Sequence, residues 1–278
     1  MGLRISTNVQ SIRANRELDS TTKTHTRTLE KLATGSRIVY SGDDAAGLSI
    51  SEKLRGSIRS YQMAHRNTQD GISMIQTAEG GMIEAQNMLV RLRELSVQAA
   101  SDTIGDEERK YTNTEFQHLK DEIKRIANTT IYDRTPLLNG SGPSLDFQIG
   151  IDHDDASRLT FSSQIANVLP SALGFASADI STKESAREGL AVLDAAISKL
   201  SENRAYIGGI QTELGHHMQE IDVHNTNLSA GNSRLRDADF AEWTSKEVSE
   251  HIRQDAGNAV LVQANAVPKA ALKLLDKA

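Results

Sequence analysis

The chain has 278 residues, a formal net charge of −6 and an aromatic content of only 4%. An acidic chain without a basic stripe argues against nucleic-acid binding, because neutralising phosphates requires clustered lysine and arginine. No apolar run approaches the roughly 20 residues that a membrane-spanning helix needs. The few aromatic residues and the 4 prolines favour long helices that pack on one another.

The chain begins with MGLRISTNVQSIRANREL and contains no cysteine. This beginning lacks the apolar stretch of a secretory signal, so we expect a protein that is cytosolic or is exported without a cleaved signal peptide. The lack of cysteine excludes disulfides and cysteine-ligated metals. It would also suit an exported chain that crosses a channel unfolded, because stray disulfides would obstruct its passage.

Residues 1–34 carry the apolar pattern of a helix, but the pattern is weak. Its apolar members are Ile5, Val9, Ile12, Leu29 and Leu32. So thin a stripe does not stabilise a lone helix in water, and the helix therefore needs a partner. Gly35 is a stop signal, and the three glycines within residues 35–47 predict a non-helical spacer.

A second helix is predicted from residue 44 or 45 to residue 100. Two apolar rows repeat at intervals of seven, one made of Ile75, Met82 and Leu89 and the other of Ala78, Ala85, Leu92 and Ala99. The rows are offset by three residues, as the a and d positions of a heptad are. The Gly80–Gly81 pair inside this helix predicts a bend or close packing.

The middle of the chain changes from helical to strand periodicity. A third helix is predicted after residue 106 from Phe116, Leu119, Ile123 and Ile126. Further on, alternate positions are apolar at Leu145, Phe147, Ile149 and Ile151, and again at Leu159 and Phe161. Turn residues at 152–156 separate the two runs, so we predict a β-hairpin at about residues 145–163.

A long helix at about residues 185–235 carries the most regular pattern in the chain. Its apolar residues repeat at intervals of seven: Leu193, Leu200, Ile207, Leu214, Ile221, Leu228 and Leu235. The companion row reads Leu190, Ile197, Arg204, Gln211, Met218, Asn225 and Asn232. Two interpretations of its polar members are open. Either they are buried and fix the register and the choice of partner, or they face solvent because the partner helix covers only part of this helix. Both interpretations argue against a symmetric zipper.

A last helix is predicted from residue 244 onward, with Pro268 bending or interrupting it. Its apolar residues include Val248, Ile252, Ala256 and Ala259. The predicted fold is mainly α, a long antiparallel helical bundle or coiled-coil rod built from both chain halves, with a small central β-hairpin. Apolar residues of the second predicted helix would pack, within one chain, against the heptad row of the helix at about residues 185–235 and form a seam. They are Ile75, Met82, Leu89 and Leu92.

The side chains that could carry chemistry have simpler explanations. His216, His217 and His224 lack the spacing of three or four that zinc prefers on one helix. Asp152, Asp154 and Asp155 lack the glycine and distal glutamate of a calcium loop, and turn chemistry explains them better. The carboxylates of Asp43, Asp44, Asp237 and Asp239 lie beside helix ends, where aspartate caps N-termini. We therefore expect a structural protein without a cofactor or catalytic site.

The terminal segments contain long motifs that point to a family. They are LRISTNVQSIRANREL, KLATGSRI and DDAAGLSISEKLRGSIRS near one end, and RLRDADFAEW and QDAGNAVLVQANAVPKAALKLL near the other. With these motifs the chain resembles bacterial flagellins over about residues 1–140 and 180–278. The four residues after SRI, Val39 to Gly42, depart from the family pattern.

The resemblance implies a structural subunit of the extracellular flagellar filament, in a compact form without large variable outer domains. It also implies that residues 1–42 and 241–278 form a terminal helical domain and residues 43–240 a rod domain. Subunits would assemble with other copies into a hollow helical tube used for motility, by coupled folding of their terminal helices. The inter-subunit residues would be Ile5, Val9, Ile12, Leu29, Leu32, Val248, Ile252, Ala256 and Ala259. Export chaperone, cap and hook-associated proteins are further expected partners. A hook–filament junction protein and a cytosolic helical scaffold are the alternatives.

The resemblance also suggests an innate immune partner. A vertebrate Toll-like receptor binds some flagellins through the second and third rod helices. The matching positions in this chain are Arg91, Leu95 and Glu115, although Val90 replaces an expected polar residue.

Overall fold

The computed structural model describes residues 7–275, and the side chains of residues 7–266. Its helices are α1 (Val9–Thr34), α2 (Ala45–Ala99), α3 (Asp106–Thr129), the single turn α4 (Pro170–Leu173), α5 (Lys183–Arg236) and α6 (Phe240–Leu275). Its strands are β1 (Ile131–Tyr132), β2 (Thr135–Pro136), β3 (Ser144–Gln148) and β4 (Arg158–Ser162). This mainly α architecture with a small β region confirms the predicted fold class.

Helix ends follow the capping chemistry that the sequence predicts. Gly35 ends α1 in the left-handed conformation, with φ at 63°. The Asp44 carboxylate accepts a 2.8 Å hydrogen bond from the N–H of Gly47, and Asp239 accepts one of 2.9 Å from the N–H of Ala241. α6 continues past Pro268 to Leu275, so the predicted interruption is wrong. A proline removes a single helical N–H, and the helix can continue around that loss.

Two compact units divide the chain. One consists of Met1–Gly56 and Asn227–Ala278, and the other of Ser57–Thr226. The domain boundaries predicted from the sequence, after residue 42 and before residue 241, stay a prediction.

The unit of residues 57–226 contains a continuous apolar core. α2, α3 and α5 each contribute fully buried side chains, represented by Leu89, Phe116 and Leu200. The antiparallel pair of β3 and β4 adds Phe161, which lies opposite Leu145 in the register. This pair confirms the predicted hairpin. The short pair of β1 and β2 was not predicted.

Close packing in this core explains one residue of the glycine pair. A Cβ placed on Gly81 would lie 2.7 Å from Cδ1 of Leu138 and 2.8 Å from Oγ1 of Thr130, whereas one on Gly80 would meet open space. The close-packing alternative is therefore confirmed for Gly81. At the carboxyl end of α2, the buried Arg109 donates from Nε to the Ala99 carbonyl over 2.9 Å, which satisfies an acceptor that the helix leaves unpaired.

In the unit built from both chain ends, α1 pairs with α6. The chain that follows α1 is tied to the chain between α5 and α6. The N–H of Arg37 donates to the carbonyl of Arg236 over 2.7 Å, and that of Ala238 donates to the carbonyl of Gly35 over 2.9 Å. Ile38 is buried beside this joint. These contacts fix where α1 and α6 begin to run together.

Candidate assembly surface

The facing sides of α1 and α6 make several polar contacts. Nε2 of His25 lies 3.3 Å from Oε1 of Glu247, and Nε2 of Gln254 donates to Oγ1 of Thr22 over 3.3 Å. Among the described side chains of α1, Thr28 is the only buried one. A seam made of such groups removes little apolar surface from water.

Polar contacts continue toward the end of the pair where α1 begins. Nδ2 of Asn8 donates to the Ala264 carbonyl over 2.9 Å, and Oγ of Ser11 donates to Oδ1 of Asn265 over 2.8 Å. Oε2 of Glu250 is buried without a hydrogen-bond partner among the described residues. A buried unpaired carboxylate oxygen is costly, so this seam is poorly suited to hold the two helices together alone.

An aromatic clamp lies at the other end of the pair. Two ammonium groups lie over the Trp243 ring, with Nζ of Lys31 at 4.6 Å and Nζ of Lys246 at 4.3 Å from its centre. Each such cation–π contact contributes about 0.5–1 kcal/mol at an exposed site. The clamp fixes the register of α6 on α1 near the joint.

The same pair also carries exposed apolar side chains. Val9, Ile12, Leu29, Val248 and Ile252 are each between 44% and 61% exposed. Ala256 and Ala259 are also exposed, and Leu32 is half-buried. Ile5 lies outside the described residues. The predicted inter-subunit residues that the structure describes are therefore largely accessible to a partner.

Sequence reasoning missed three further exposed apolar side chains on α6. They are Phe240, Val260 and Val262. The run Val260-Leu261-Val262 could have revealed the last two, because three consecutive apolar residues cannot all face one partner helix. Together with the predicted residues they widen the apolar surface of α6.

The predicted intrachain seam lies mainly in the unit of residues 57–226. Its members there are buried: Ile75, Met82, Leu89, Leu92, Leu193, Leu200, Ile207, Leu214 and Ile221. Leu228 and Leu235 belong to the other unit and are half-buried. The stripe is therefore covered most completely where α3 and the strands join α2 and α5.

The companion row of α5 is neither fully buried nor free in solvent. All of its members are half-buried: Leu190, Ile197, Arg204, Gln211, Met218, Asn225 and Asn232. Arg204 reaches α2, where its Nη1 donates to Oε1 of Gln86. Oδ1 of Asn225 is buried without a hydrogen-bond partner among the described residues. The row therefore borders the seam and weakens it toward the end of α5.

The positions matched to receptor recognition form an ion-paired cluster. Nη2 of Arg91 donates to Oε1 of Glu115 over 2.9 Å, and Nη1 donates to Oε2 of Glu94 over 3.0 Å. The Glu115 carboxylate, followed by that of Glu94, raises the pKa of Arg91 above its ordinary value. Leu95 is buried, so the accessible part of the motif is polar.

Within residues 7–275, no group of three histidine, aspartate or glutamate side chains is arranged to hold a metal ion. No described helix is long and apolar enough to span a bilayer. Asp154 accepts a 3.2 Å hydrogen bond from the N–H of Ser157, which is the turn role that the sequence predicts for the aspartates near residue 152.

Family models match both chain ends. One for the bacterial flagellin N-terminal helical region matches residues 5–142, and one for the C-terminal helical region matches residues 190–275. The chain therefore belongs to the bacterial flagellin family. It is a structural subunit of the flagellar filament, an extracellular appendage used for motility.

Individual relatives agree with this assignment. The flagellin of Halalkalibacterium halodurans is 37% identical over 271 residues, which cover 98% of this chain and 99% of that protein. The flagellin of Bacillus subtilis is 36% identical over an alignment that covers 98% of this chain and 100% of that protein. The crystal structure of Bacillus cereus flagellin matches with a TM-score of 0.51 and 27% identity, over 60% of this chain and 94% of that one. These matches confirm the resemblance and do not favour the hook–filament junction alternative.

Proposed function

We propose that this subunit assembles by burying the outward apolar face of its α1–α6 pair against neighbouring copies. The observation that carries the proposal is the inverted arrangement of the pair. Its polar side chains, such as His25 and Glu247, face inward, while Val9 and Ile252 face outward. A helix pair arranged in this way gains more from a neighbour than from its own seam.

The energies favour assembly over an isolated pair. Complete burial of a valine, leucine or isoleucine side chain contributes about 1.5–3 kcal/mol. The outward residues are already partly covered, so each gains about half of that when a neighbour covers it. Several such residues per copy supply enough free energy to order helices that would otherwise be marginal. Contacts between different surfaces of successive copies then extend into an open helical assembly.

The same exposed face bears on export and on capping of the filament. We propose that the chain is exported unfolded through the hollow filament, and that an export chaperone covers the apolar face of α6 before export. Cap and hook-associated proteins would meet the same terminal helices at the filament ends. We further propose that the chain performs no catalysis, because the carboxylates of Asp44 and Asp239 serve as helix caps.

A matched pair of valines tests the assembly proposal. Val248 on α6 is 50% exposed, and Val223 on α5 is 60% exposed. Val248→Asp should raise the critical concentration for seeded filament growth by roughly tenfold or more, because burying an unpaired carboxylate costs well over 1.4 kcal/mol. Val223→Asp should assemble like the unmodified chain. Sedimentation and electron microscopy measure both, and equal assembly of the two variants would contradict the proposal.

Limited proteolysis tests the coupled folding. In the free subunit, cleavage should occur within residues 7–34 and 241–275 well before it occurs within residues 57–226. In the filament, the same terminal sites should be protected. Equal protection of the termini in both states would show that folding of α1 and α6 does not depend on assembly.

Recognition of the free subunit by a vertebrate Toll-like receptor is a second proposal, supported by the accessible Arg91–Glu115 pair. Two arginines of α2 provide the test, since the Arg91 and Arg93 side chains are 49% and 45% exposed. Purified subunit should activate a reporter cell, and Arg91→Ala should weaken activation more than Arg93→Ala. No response to the unmodified subunit at saturating concentration would reject this proposal.

A further inference from the structure

The only asparagine–glycine pair of the sequence, Asn139–Gly140, lies in the connection between β2 and β3. Asparagine is a chemically labile residue, because the backbone nitrogen of the next residue can attack its side-chain amide. Glycine leaves that nitrogen unscreened, since it has no side chain. Asn139 and Gly140 are half-buried and Ser141 is exposed, so solvent water reaches the pair.

The side-chain carbonyl of Asn139 is polarised by two hydrogen bonds. Its Oδ1 accepts one from the N–H of Ser141 over 3.0 Å and one from Oγ of Ser141 over 2.7 Å. Donors aimed at a carbonyl oxygen stabilise the negative charge that develops there when a nucleophile adds to the carbon. The bond to the N–H two residues ahead also folds the side chain over the peptide that joins Asn139 to Gly140. This turn brings Cγ of Asn139 toward the Gly140 nitrogen.

Neither of the two nitrogens that would react is engaged. With the described residues as possible partners, the N–H of Gly140 and Nδ2 of Asn139 donate no hydrogen bond. The first can therefore give up its proton to hydroxide, and the second can leave as ammonia. Gly140 has a φ of 69°, and a Cβ there would lie 2.3 Å from Nδ2 of Asn167. The fold itself thus requires glycine after Asn139.

Asn167 provides a matched comparison within the same chain. Its Oδ1 accepts a hydrogen bond from the N–H of Leu169 over 3.0 Å, which is the same turn as at Asn139. The residue after it is Val168, which is fully buried and whose N–H already donates to the Leu138 carbonyl over 2.8 Å. Both asparagines are folded in the same way, but only Asn139 has an unengaged and unscreened nitrogen next to its amide.

We propose that Asn139 is a site of spontaneous deamidation, with water as the co-reactant. Hydroxide removes the proton of the Gly140 N–H, and that nitrogen forms a bond to Cγ of Asn139. The Cγ–Nδ2 bond then breaks, and ammonia leaves with a proton taken from water. Water opens the resulting cyclic imide at either of its carbonyls, which leaves aspartate or isoaspartate at this position. The inference goes beyond the proposed function and does not depend on assembly.

The loop accommodates the aspartate product better than isoaspartate. A carboxylate at this position keeps both donors of Ser141, and hydrogen bonds to a charged acceptor are the stronger kind. Isoaspartate adds a carbon to the backbone between two anchored carbonyls. That of Leu138 accepts from the N–H of Val168 over 2.8 Å, and that of Gly142 accepts from Oγ of Ser163 over 2.6 Å. Asn139→Asp should therefore unfold thermally at the same midpoint as the unmodified chain, and a clearly lower midpoint would contradict this fit.

Peptide mass spectrometry of the free subunit tests the site directly. The folded chain is incubated at mildly alkaline pH and digested with an acid protease, so that no conversion occurs during preparation. Asn139 should lose its amide about tenfold faster than Asn167 or more, because only its nucleophile is free and aligned. Ser141→Ala removes one donor to Oδ1 and should slow the conversion about fivefold. Ser144→Ala, at an exposed position of β3, is the matched control and should leave the rate unchanged.

Each outcome decides the inference. Equal amide loss at Asn139 and Asn167 overturns it, and so does an unchanged rate in Ser141→Ala, since the conversion would then not depend on the loop. The slowing caused by Ser141→Ala should disappear in urea, where the turn is lost, and its persistence there would also contradict the inference. Circular dichroism checks that both serine variants stay folded in the absence of urea.

Discussion

The α2–α5 pair and the α1–α6 pair are both long helix pairs, but they bury their apolar residues to different extents. Within residues 57–226, Leu89 and Leu200 face inward and are fully buried. In the terminal unit, Thr28 is buried while Val248 is exposed. Similar apolar periodicity therefore has two different roles in this chain. One pair stabilises a single chain, and the other provides a surface that another chain must cover.

This difference separates the folding of the subunit from its assembly. The core of residues 57–226 includes α3 and the strands, so its helices have partners on more than one side. α1 packs against α6, and Thr28 is its only buried side chain among those that the structure describes. Because stability follows buried apolar area, the core should stay folded under conditions in which the terminal pair does not.

Two leucines provide the strongest test of the comparison. Leu89 is 0% exposed and Leu29 is 44% exposed. Leu89→Ala should lower the free energy of unfolding by about 3 kcal/mol, because it leaves a cavity in a packed core. Leu29→Ala should lower it by less than about 0.5 kcal/mol in the free subunit and should instead weaken assembly. Urea unfolding and sedimentation measure the two effects. Similar losses of stability from both variants would mean that the two pairs are held in the same way.

Two glycines that each lie close to a side chain, one in the core and one in α6, allow a similar comparison. Gly81→Ala should destabilise the core by about 1–3 kcal/mol, because Leu138 is buried and cannot move aside easily. A Cβ on Gly257 of α6 would meet Cδ1 of Leu18 at 3.2 Å, and that half-buried side chain can shift. Gly257→Ala should therefore change stability by less than about 1 kcal/mol.

Gly80→Ala is the matched control for Gly81→Ala. An added Cβ there meets open space, so the higher helix propensity of alanine should stabilise α2 by up to about 1 kcal/mol. Thermal unfolding measures all three variants. The packing argument is wrong if Gly80→Ala and Gly81→Ala shift the midpoint in the same direction by the same amount.

The polar seam of the terminal pair can be repaired as a third test. Glu250→Leu replaces the buried carboxylate oxygen that lacks a partner and should stabilise the α1–α6 pair by about 1 kcal/mol. The terminal segments of the free subunit should then resist proteolysis for longer. Asp255→Leu, at an exposed position of the same helix, is the control and should give little protection. If Glu250→Leu made the termini more sensitive, the seam would depend on this carboxylate rather than suffer from it.

Much of the fold could be predicted because apolar residues that repeat at intervals of seven mark the buried side of a helix. The predicted long helix at residues 185–235 corresponds to Lys183–Arg236, and the second helix ends one residue from its predicted end. The turn between β1 and β2 gave no comparable signal. Its residues with positive φ are Asp133 and Arg134 rather than glycine, and such strain is set by tertiary contacts.

The candidate surfaces were harder to predict than the fold. Periodicity identifies Val9 and Ile12 as one side of a helix, but it does not say whether that side meets a helix of the same chain. The answer depends on the partner, and His25 contacts Glu247 on the other side of α1. Ile83 and Val90 share the interval of seven with the buried row beside them, so only their exposure distinguishes them from the seam.

The smallest expected effect concerns the ion pair that crosses from α2 to α5. The Arg93 guanidinium holds the pKa of Asp194 below its ordinary value, mainly through a direct hydrogen bond. A carboxylate with a lowered folded pKa stabilises the fold at pH values above its unfolded pKa, and this contribution is lost as the pH falls through the folded pKa. Arg93→Gln should therefore raise the pKa of Asp194 toward the ordinary range. Its effect on stability at neutral pH should be slight, because both side chains are exposed and screened by solvent.

Carboxyl chemical shifts measured during an acid titration check this prediction. Asp102, whose pKa is lowered mainly by a hydrogen bond from Lys183, provides the control in the same spectra and should titrate identically in the variant. A large loss of stability at neutral pH in Arg93→Gln would contradict the view that buried apolar residues hold the α2–α5 pair together. The α2–α5 pair would then depend on its surface charges rather than on Leu89, Leu200 and their buried neighbours, and the two helix pairs would differ less than their apolar residues indicate.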